Sequence, residues 1–422
     1  MRFNEISITK KDINLELLAE EVEHEVQSVY RLIEERALKN HAKVLDAFRK
    51  ARVSDYHLKG STGYGYGDRG REALEEVYAG IFRAEAALVR GQIVSGTHAI
   101  ALCLYGILRP GDELLSIQGE PYDTLGEMIG IRGKAHGSLK EFGIVYKQVE
   151  PLIGGGIDYA SVGQALNDRT KMVMLQRSRG YYWGPSLGMS ETREIIQYIR
   201  QRKQDVVIFV DNCYGEFVEE EEPVEAGADL VAGSLIKNPG GGVAPTGGYV
   251  VGGAKYVEMA SNRWSAPGIG AEVGPSTEIQ RLLFQGLFLA PHTVAEALKG
   301  GVFAARLFER LGFEVLPRFD EKRYDIVQAL GLGTPERMLA FCRGLQGASP
   351  VDSHVRPEAN AMPGYGDPVV MAAGTFVQGA SLELSADGPI RPPYAVYLQG
   401  GLSKEYVRLA VLSAAREVLK SG

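Results

Sequence analysis

Residues 206–251 read VVIFVDNCYGEFVEEEEPVEAGADLVAGSLIKNPGGGVAPTGGYVV. The apolar run Val206 to Val210 ends on an acid, Asp211. A second short and mostly apolar run, Ala228 to Ala232, gives way to Ser234, Leu235, Ile236 and Lys237. Both runs read as buried strands. In an open parallel sheet the ligand crevice lies outside the carboxyl ends of the strands, so an acid and an amine carried there by two strands can converge.

On either side of this stretch, strands and helices alternate. Glu72 to Phe82 reads as a helix, Ala86 to Arg90 as a strand and Ala99 to Leu108 as a helix. Glu113 to Gln118 and Gly143 to Val149 read as strands, Tyr159 to Leu166 as a helix, Lys171 to Leu175 as a strand and Ser190 to Arg202 as a helix. Such alternation specifies an α/β fold with a doubly wound, mostly parallel sheet and right-handed crossovers. Upstream, Leu15, Leu18, Val22, Val26, Val29 and Ile33 recur at spacings of three and four, which puts them on one face of a long helix. A second helical stretch, Lys43 to Ala51, leads into a glycine-rich loop from Gly60 to Gly70. Downstream, Glu278 to Arg310 reads as helical, Gly312 to Leu316 and Met371 to Leu384 as strands, and Glu405 to Leu419 as a terminal helix. Residues 346–367 carry proline and glycine and no clear element. The expected division is an N-terminal helical extension (1–62), a large domain (63–300) and a smaller α/β domain (301–422).

An acid and a lysine at neighbouring strand ends suit pyridoxal phosphate. The lysine forms a Schiff base with the cofactor aldehyde, and the acid pairs with the pyridinium nitrogen so that the ring can accept electrons from a substrate carbanion. Taken alone, the same residues also read as a turn cap, a loop lysine and an ordinary glycine loop at Gly240 to Gly242. Ser95-Gly96-Thr97-His98 opens a helix, where backbone amides and the helix dipole favour a phosphate; Gly96 and Thr97 are the expected contacts, although such a turn also serves as a plain N-cap.

Asp211-Asn-x-Tyr214 after a buried strand, and Ser234-x-x-Lys237 followed by a glycine-rich turn and Gly247-Gly248-Tyr249, resemble the aspartate aminotransferase superfamily of pyridoxal phosphate enzymes. Within it, the likeness is closest to the cystathionine and methionine lyase branch, and especially to the methionine γ-lyase-like or aluminium resistance proteins. It covers roughly Gly63 to Leu419. The resemblance implies a large domain of the pyridoxal-phosphate-dependent transferase type, with Ser234 among the cofactor contacts and Tyr122 stacked on the pyridine ring. It implies that Tyr64, Tyr66 and Arg69 reach a neighbouring chain's cofactor phosphate, giving a homodimer or homotetramer with shared active sites. Arg408, in Val407-Arg-Leu409, is the implied ligand of the substrate carboxylate, with Arg391 as a rival.

Two departures from that branch stand out. Residues 176–181 lack its Pro-x-Asn segment, which leaves Ser178 or Arg179 to contact the cofactor O3′, or Arg179 to receive a substrate carboxylate. Ile236 stands where the branch carries a hydroxyl. The implied reaction is β- or γ-elimination from a methionine-, cysteine- or cystathionine-like amino acid. Another pyridoxal phosphate reaction, such as transamination, and a non-catalytic cofactor-binding protein of stress response are the alternatives.

Composition narrows the classes further. The chain has 422 residues, enough for two domains and an extension, with 45% hydrophobic and 23% charged residues, as in soluble globular proteins. A net charge of −7 offers no basic surface for nucleic acid. Three cysteines without regular spacing suit a reducing compartment. No run has membrane length and the N-terminus lacks a signal-peptide core, so a cytoplasmic location is expected. No metal is expected, and Glu219 to Glu222 reads as a solvated turn.

Overall fold

The computed structural model describes residues 14–133, 136–362 and 365–421. Seven strands form the main sheet: β1 (Ala86–Arg90), β2 (Glu113–Ser116), β3 (Val145–Gln148), β4 (Thr170–Gln176), β5 (Val207–Asp211), β6 (Leu230–Ser234) and β7 (Gly248–Gly252). Their spatial order is β1-β7-β6-β5-β4-β2-β3. Only β7 runs against its neighbours; the pairings among β2 to β6 are parallel. The doubly wound, mostly parallel sheet expected from the alternation is what forms.

The central strands are buried on both faces, and successive side chains serve different cores. On β5, Val207 and Phe209 join the cluster under the helices Gly96–Ile107 and Ala254–Trp264, whereas Ile208 and Val210 join the opposite cluster, which includes the helices Arg69–Phe82 and Met189–Arg202. The register then aligns the strand ends. Gln176 of β4 pairs with Asp211 of β5, which pairs with Ala232 of β6. Residues that follow these three strands are therefore delivered to one edge of the sheet.

A second, wholly antiparallel sheet is built from β8 (Glu314–Leu316), β9 (Val327–Gly331), β10 (Val369–Ala372), β11 (Ser385–Pro389) and β12 (Ala395–Gln399), in the order β10-β11-β12-β9-β8. The reading of one strand from Met371 to Leu384 is corrected here: β10 ends at Ala372, a short helix spans Ser381–Leu384, and β11 follows. The β11 sequence, Ser-Ala-Asp-Gly-Pro, has poor intrinsic strand preference. It becomes a strand because β10 and β12 flank it and supply both ladders.

The N-terminal helical face is also revised. It divides at Val26 into helices Leu15–Glu25 and Gln27–Lys50, which pack on the 31-residue helix Gln280–Arg310 of the same chain. That long helix runs through residues 300 and 301 and contacts elements on both sides of them. The acidic run is solvated only at Glu220 and Glu221; Glu219 and Glu222 are buried. Glu219 accepts from buried Arg177 at 2.9 Å and from the Met189 amide, and Glu222 accepts from Asn212 and the Phe217 amide; Glu220 and Glu221 pair with Lys39 and Arg193. Arg177 also donates to Asn212 Oδ1 at 3.0 Å and to the Gly215 carbonyl, so a buried guanidinium braces the turn that follows Asp211.

Candidate active site

Beyond the ends of β5 and β6, Asp211, Tyr214 and Lys237 line a cavity of about 250 Å³, with Tyr122 from the turn after β2. Asp211 is buried, and its Oδ1 accepts from the Cys213 amide at 3.1 Å. Burial pushes its carboxyl above the usual aspartate range, opposed by the charge of Lys237 and by that amide. Burial works against the charge on Lys237, but Cys213, Tyr214, Asp211 and Tyr122 around it hold the ammonium well above the ordinary lysine range.

The helix Gly96–Ile107 begins beside these strand ends, with Ser95 accepting from the His98 amide as its N-cap. A Cβ at Gly96 would stand 3.1 Å from Cys213 Sγ and 3.4 Å from Ser234 Cβ, so the absence of a side chain lets the first turn come this close without displacing Cys213. Thr97 Oγ1 and the Tyr122 hydroxyl lie 2.8 Å apart, fixing the ring of Tyr122 over the cavity. Gly96, Thr97, Tyr122, Asp211, Ser234 and Lys237 are thus gathered around one edge of the sheet.

Of the other anticipated residues, only Ser178 lines this cavity, and Arg179 and Arg391 border a neighbouring one. Tyr64 and Tyr66 are 76% and 67% exposed, and Arg69 pairs with Glu72 at 2.9 Å on the surface; none of the three lines the cavity of its own chain. Their loop is pinned by Arg71, which donates to the carbonyls of Gly65 and Gly274 at 2.8 Å each. Arg408 is turned away from the cavity, because its helix, Lys404–Lys420, directs it toward Glu16 of the first helix at 3.6 Å. Arg179 is buried, and its guanidinium donates to the Leu316 carbonyl and Ser186 Oγ, both at 3.1 Å. Ser178 Oγ donates to Asp325 Oδ2 at 3.0 Å. Arg391, which pairs with Asp367 at 3.0 Å, borders an adjoining cavity of about 520 Å³ that shares Tyr122, Ser178 and Tyr181 with the first.

The small sheet contributes residues that the sequence did not single out. Ser385, Asp387 and Gln399 line the Lys237 cavity from β11 and β12. Burial pushes the Asp387 carboxyl up to about 7, against a hydrogen bond from Tyr181, the charge of Lys237 and a hydrogen bond from Gln399. Nothing in Ser-Ala-Asp-Gly-Pro distinguishes this aspartate from one in a surface turn. Among the described residues, no cluster of three or more His, Cys, Asp or Glu is arranged to hold a metal, and no helix is long and apolar enough to cross a membrane.

The fold is that of the pyridoxal-phosphate-dependent transferases: the pyridoxal-5′-phosphate dependent protein YhfS of Escherichia coli superposes with a TM-score of 0.62 at 17% identity, over 91% of this chain and 97% of that one. The chain itself belongs to the methionine gamma-lyase family, whose model matches residues 15–419. It is similar to a Listeria monocytogenes protein described as a candidate cystathionine beta-lyase involved in aluminium resistance, with a TM-score of 0.94 and 50% identity over 96% of this chain and 100% of that one. It is also similar to a carbon–sulfur lyase involved in aluminium resistance from Clostridium novyi, with a TM-score of 0.92 and 45% identity over 96% of each chain.

Proposed function

We propose that this protein is a carbon–sulfur lyase that uses pyridoxal 5′-phosphate and acts by β- or γ-elimination on a methionine-, cysteine- or cystathionine-like amino acid. The observation that carries the reading is the meeting of Lys237 and Asp211 in one cavity beside the start of the helix Gly96–Ile107. The residues present fit the cofactor. The close approach of Gly96 to Ser234 leaves a first turn whose amides have no partner within their helix, suited with Thr97 and Ser234 to a phosphate. Tyr122 offers an aromatic face, Lys237 an amine for the aldehyde, and Asp211 a carboxylate for the ring nitrogen, whose positive charge would offset the burial that disfavours the aspartate anion. When bound, pyridoxal phosphate supplies the electron sink for the pair left at the substrate Cα.

The chain's own groups do the rest. Lys237 would hold the cofactor through its aldehyde, and its amine is the group placed to accept the substrate Cα proton. Asp211 would set its carboxylate against the ring nitrogen of a bound cofactor, and Thr97 holds Tyr122 in place. Arg391 is the arginine we assign to the substrate carboxylate, because it borders the adjoining cavity whereas Arg408 faces Glu16. Tyr66 and Arg69, exposed on their own chain, complete the phosphate site of a second chain, which makes the working unit a homodimer or a tetramer of such pairs. The large domain (63–300) carries the cofactor, the small domain (301–422) closes the substrate side, and the enzyme works in the cytoplasm.

Purified protein with cofactor, tested against a panel of sulfur amino acids, should release a keto acid and a thiol together. Keto acid without thiol points to transamination instead. Cofactor bound firmly with no turnover of any amino acid rejects the catalytic reading.

A further inference from the structure

Strands β11 and β12 present a second set of polar groups to the cavity that holds Lys237. Ser385 and Asp387 are two residues apart on β11 and so share a face, and Gln399 of β12 is paired in register with Ser385. Gln399 Nε2 donates to Asp387 Oδ1 at 3.1 Å, and Tyr181 lines the same cavity. Yet Gln399 Oε1 and Ser385 Oγ have no hydrogen-bond partner, although these residues are only 6% and 4% exposed. Buried polar groups are normally paired, so two orphaned atoms beside a buried carboxyl mark a place where a polar part of an occupant belongs.

We propose that Asp387 is the acid that protonates the departing sulfur, with Ser385 and Gln399 positioning that end of the substrate. The proposal rests on the elimination reading above. In a β-elimination Lys237 takes the Cα proton, and the C–H electron pair becomes the Cα–Cβ double bond. The Cβ–sulfur bond breaks with its pair going to sulfur, and the Asp387 carboxyl proton moves to that sulfur, giving a thiol and a carboxylate that solvent reprotonates. No oxidant or reductant is needed. The small sheet thus places a proton donor in the same cavity as the group that receives the first proton, so the two transfers use separate residues.

The environment keeps Asp387 protonated where an exposed aspartate would not be. The titratable groups that face it are Lys237, Tyr181, Tyr214, Tyr365, Tyr397 and the Cys342 thiol; burial outweighs the lysine charge and pushes the carboxyl up to about 7.

Asp387→Asn, compared with the parent as holoenzyme, tests this. In heavy water, nuclear magnetic resonance should show the variant still exchanging the substrate Cα proton at near the parental rate, while thiol release falls roughly a hundredfold. Chloride release from β-chloroalanine, whose leaving group needs no proton, should stay within a few-fold of the parent. The infrared spectrum of the variant, even without cofactor, should lack one protonated-carboxyl band that titrates near pH 7 in the parent and keep that of Glu216. In the parent alone, release of an alkyl thiol should decline as pH rises through this range, and chloride release should not. Unchanged thiol release in Asp387→Asn, or thiol and chloride release falling together, overturns the assignment. A parent that exchanges the Cα proton but never releases thiol rejects the elimination reading instead.

Discussion

The Lys237 amine lies 3.9 Å from the centroid of the Tyr214 ring. Tyr214 occupies the left-handed region at φ 72°, uncommon for a tyrosine, and its hydroxyl lies 3.2 Å from Ser381 Oγ, just before β11. The ring therefore joins the lysine that follows β6 to the short helix Ser381–Leu384. A desolvated ammonium over an aromatic face is stabilised by about 2 kcal/mol. Tyr214→Phe, which keeps the ring, should hold turnover within a few-fold of the parent. Tyr214→Leu should lower it by about tenfold or more. Equal rates for the two variants would show that the ring does not orient Lys237.

Lys237 should carry the cofactor. Borohydride reduction of the yellow holoenzyme followed by peptide mapping is expected to place the pyridoxyl group on the peptide containing Lys237. Label on a different lysine contradicts the site as described.

Asp211→Asn preserves shape and removes the carboxylate. Contacts between full charges at an effective dielectric of about 20 are worth on the order of 4 kcal/mol. Turnover should accordingly fall by roughly two orders of magnitude or more. Folding should be retained, because burial already opposes the charge on this aspartate. Steady-state kinetics alongside thermal melting separates the two effects, and near-parental turnover removes Asp211 from the ring nitrogen.

Arg69 and Lys237 should complement each other between chains. Lys237→Ala and Arg69→Ala homo-oligomers should each be impaired, and hybrids formed by mixing unfolded chains and refolding them should regain part of the activity. A fully active monomer on light scattering would show that no site is shared.

Glu216 gives a pH test of stability that is independent of catalysis. Burial, the first cause, together with Glu222 raises its carboxyl to about 8, against the lowering effects of backbone and Tyr249 hydrogen bonds and of Lys237. Its Oε1 accepts from the Tyr249 hydroxyl at 2.8 Å. Between its unfolded value near 4.5 and about 8, the folded protein holds a proton that the unfolded chain has lost. Stability from this group therefore decreases as pH rises, by about 1.4 kcal/mol per pH unit at most. Glu216→Gln should flatten the decline in melting temperature between pH 5 and 8; an unchanged slope would show that Glu216 does not titrate in that window.

Asp211 and Lys237 were legible because both are local features of strand ends. An apolar run long enough to be buried on both faces specifies the strand, and the first polar residues beyond it must emerge at the crevice. Gly96 and Thr97 were legible for a similar reason, since a small-residue turn opening a helix is recognisable within a few residues. Tertiary structure alone decided which distant side chains meet them. Asp387 comes to line the Lys237 cavity through the antiparallel register of β11 and β12, and its sequence surroundings resemble a turn. Arg408 carries a recognisable motif, yet the packing of its helix against the first helix directs it to Glu16. Periodicity and run length are set by neighbours in the chain, so sequence alone determined the parallel sheet and the acid–lysine pair. The facing of the two sheets is set by long-range packing and register, so only the folded chain decided that Asp387, and not Arg408, stands in the cavity.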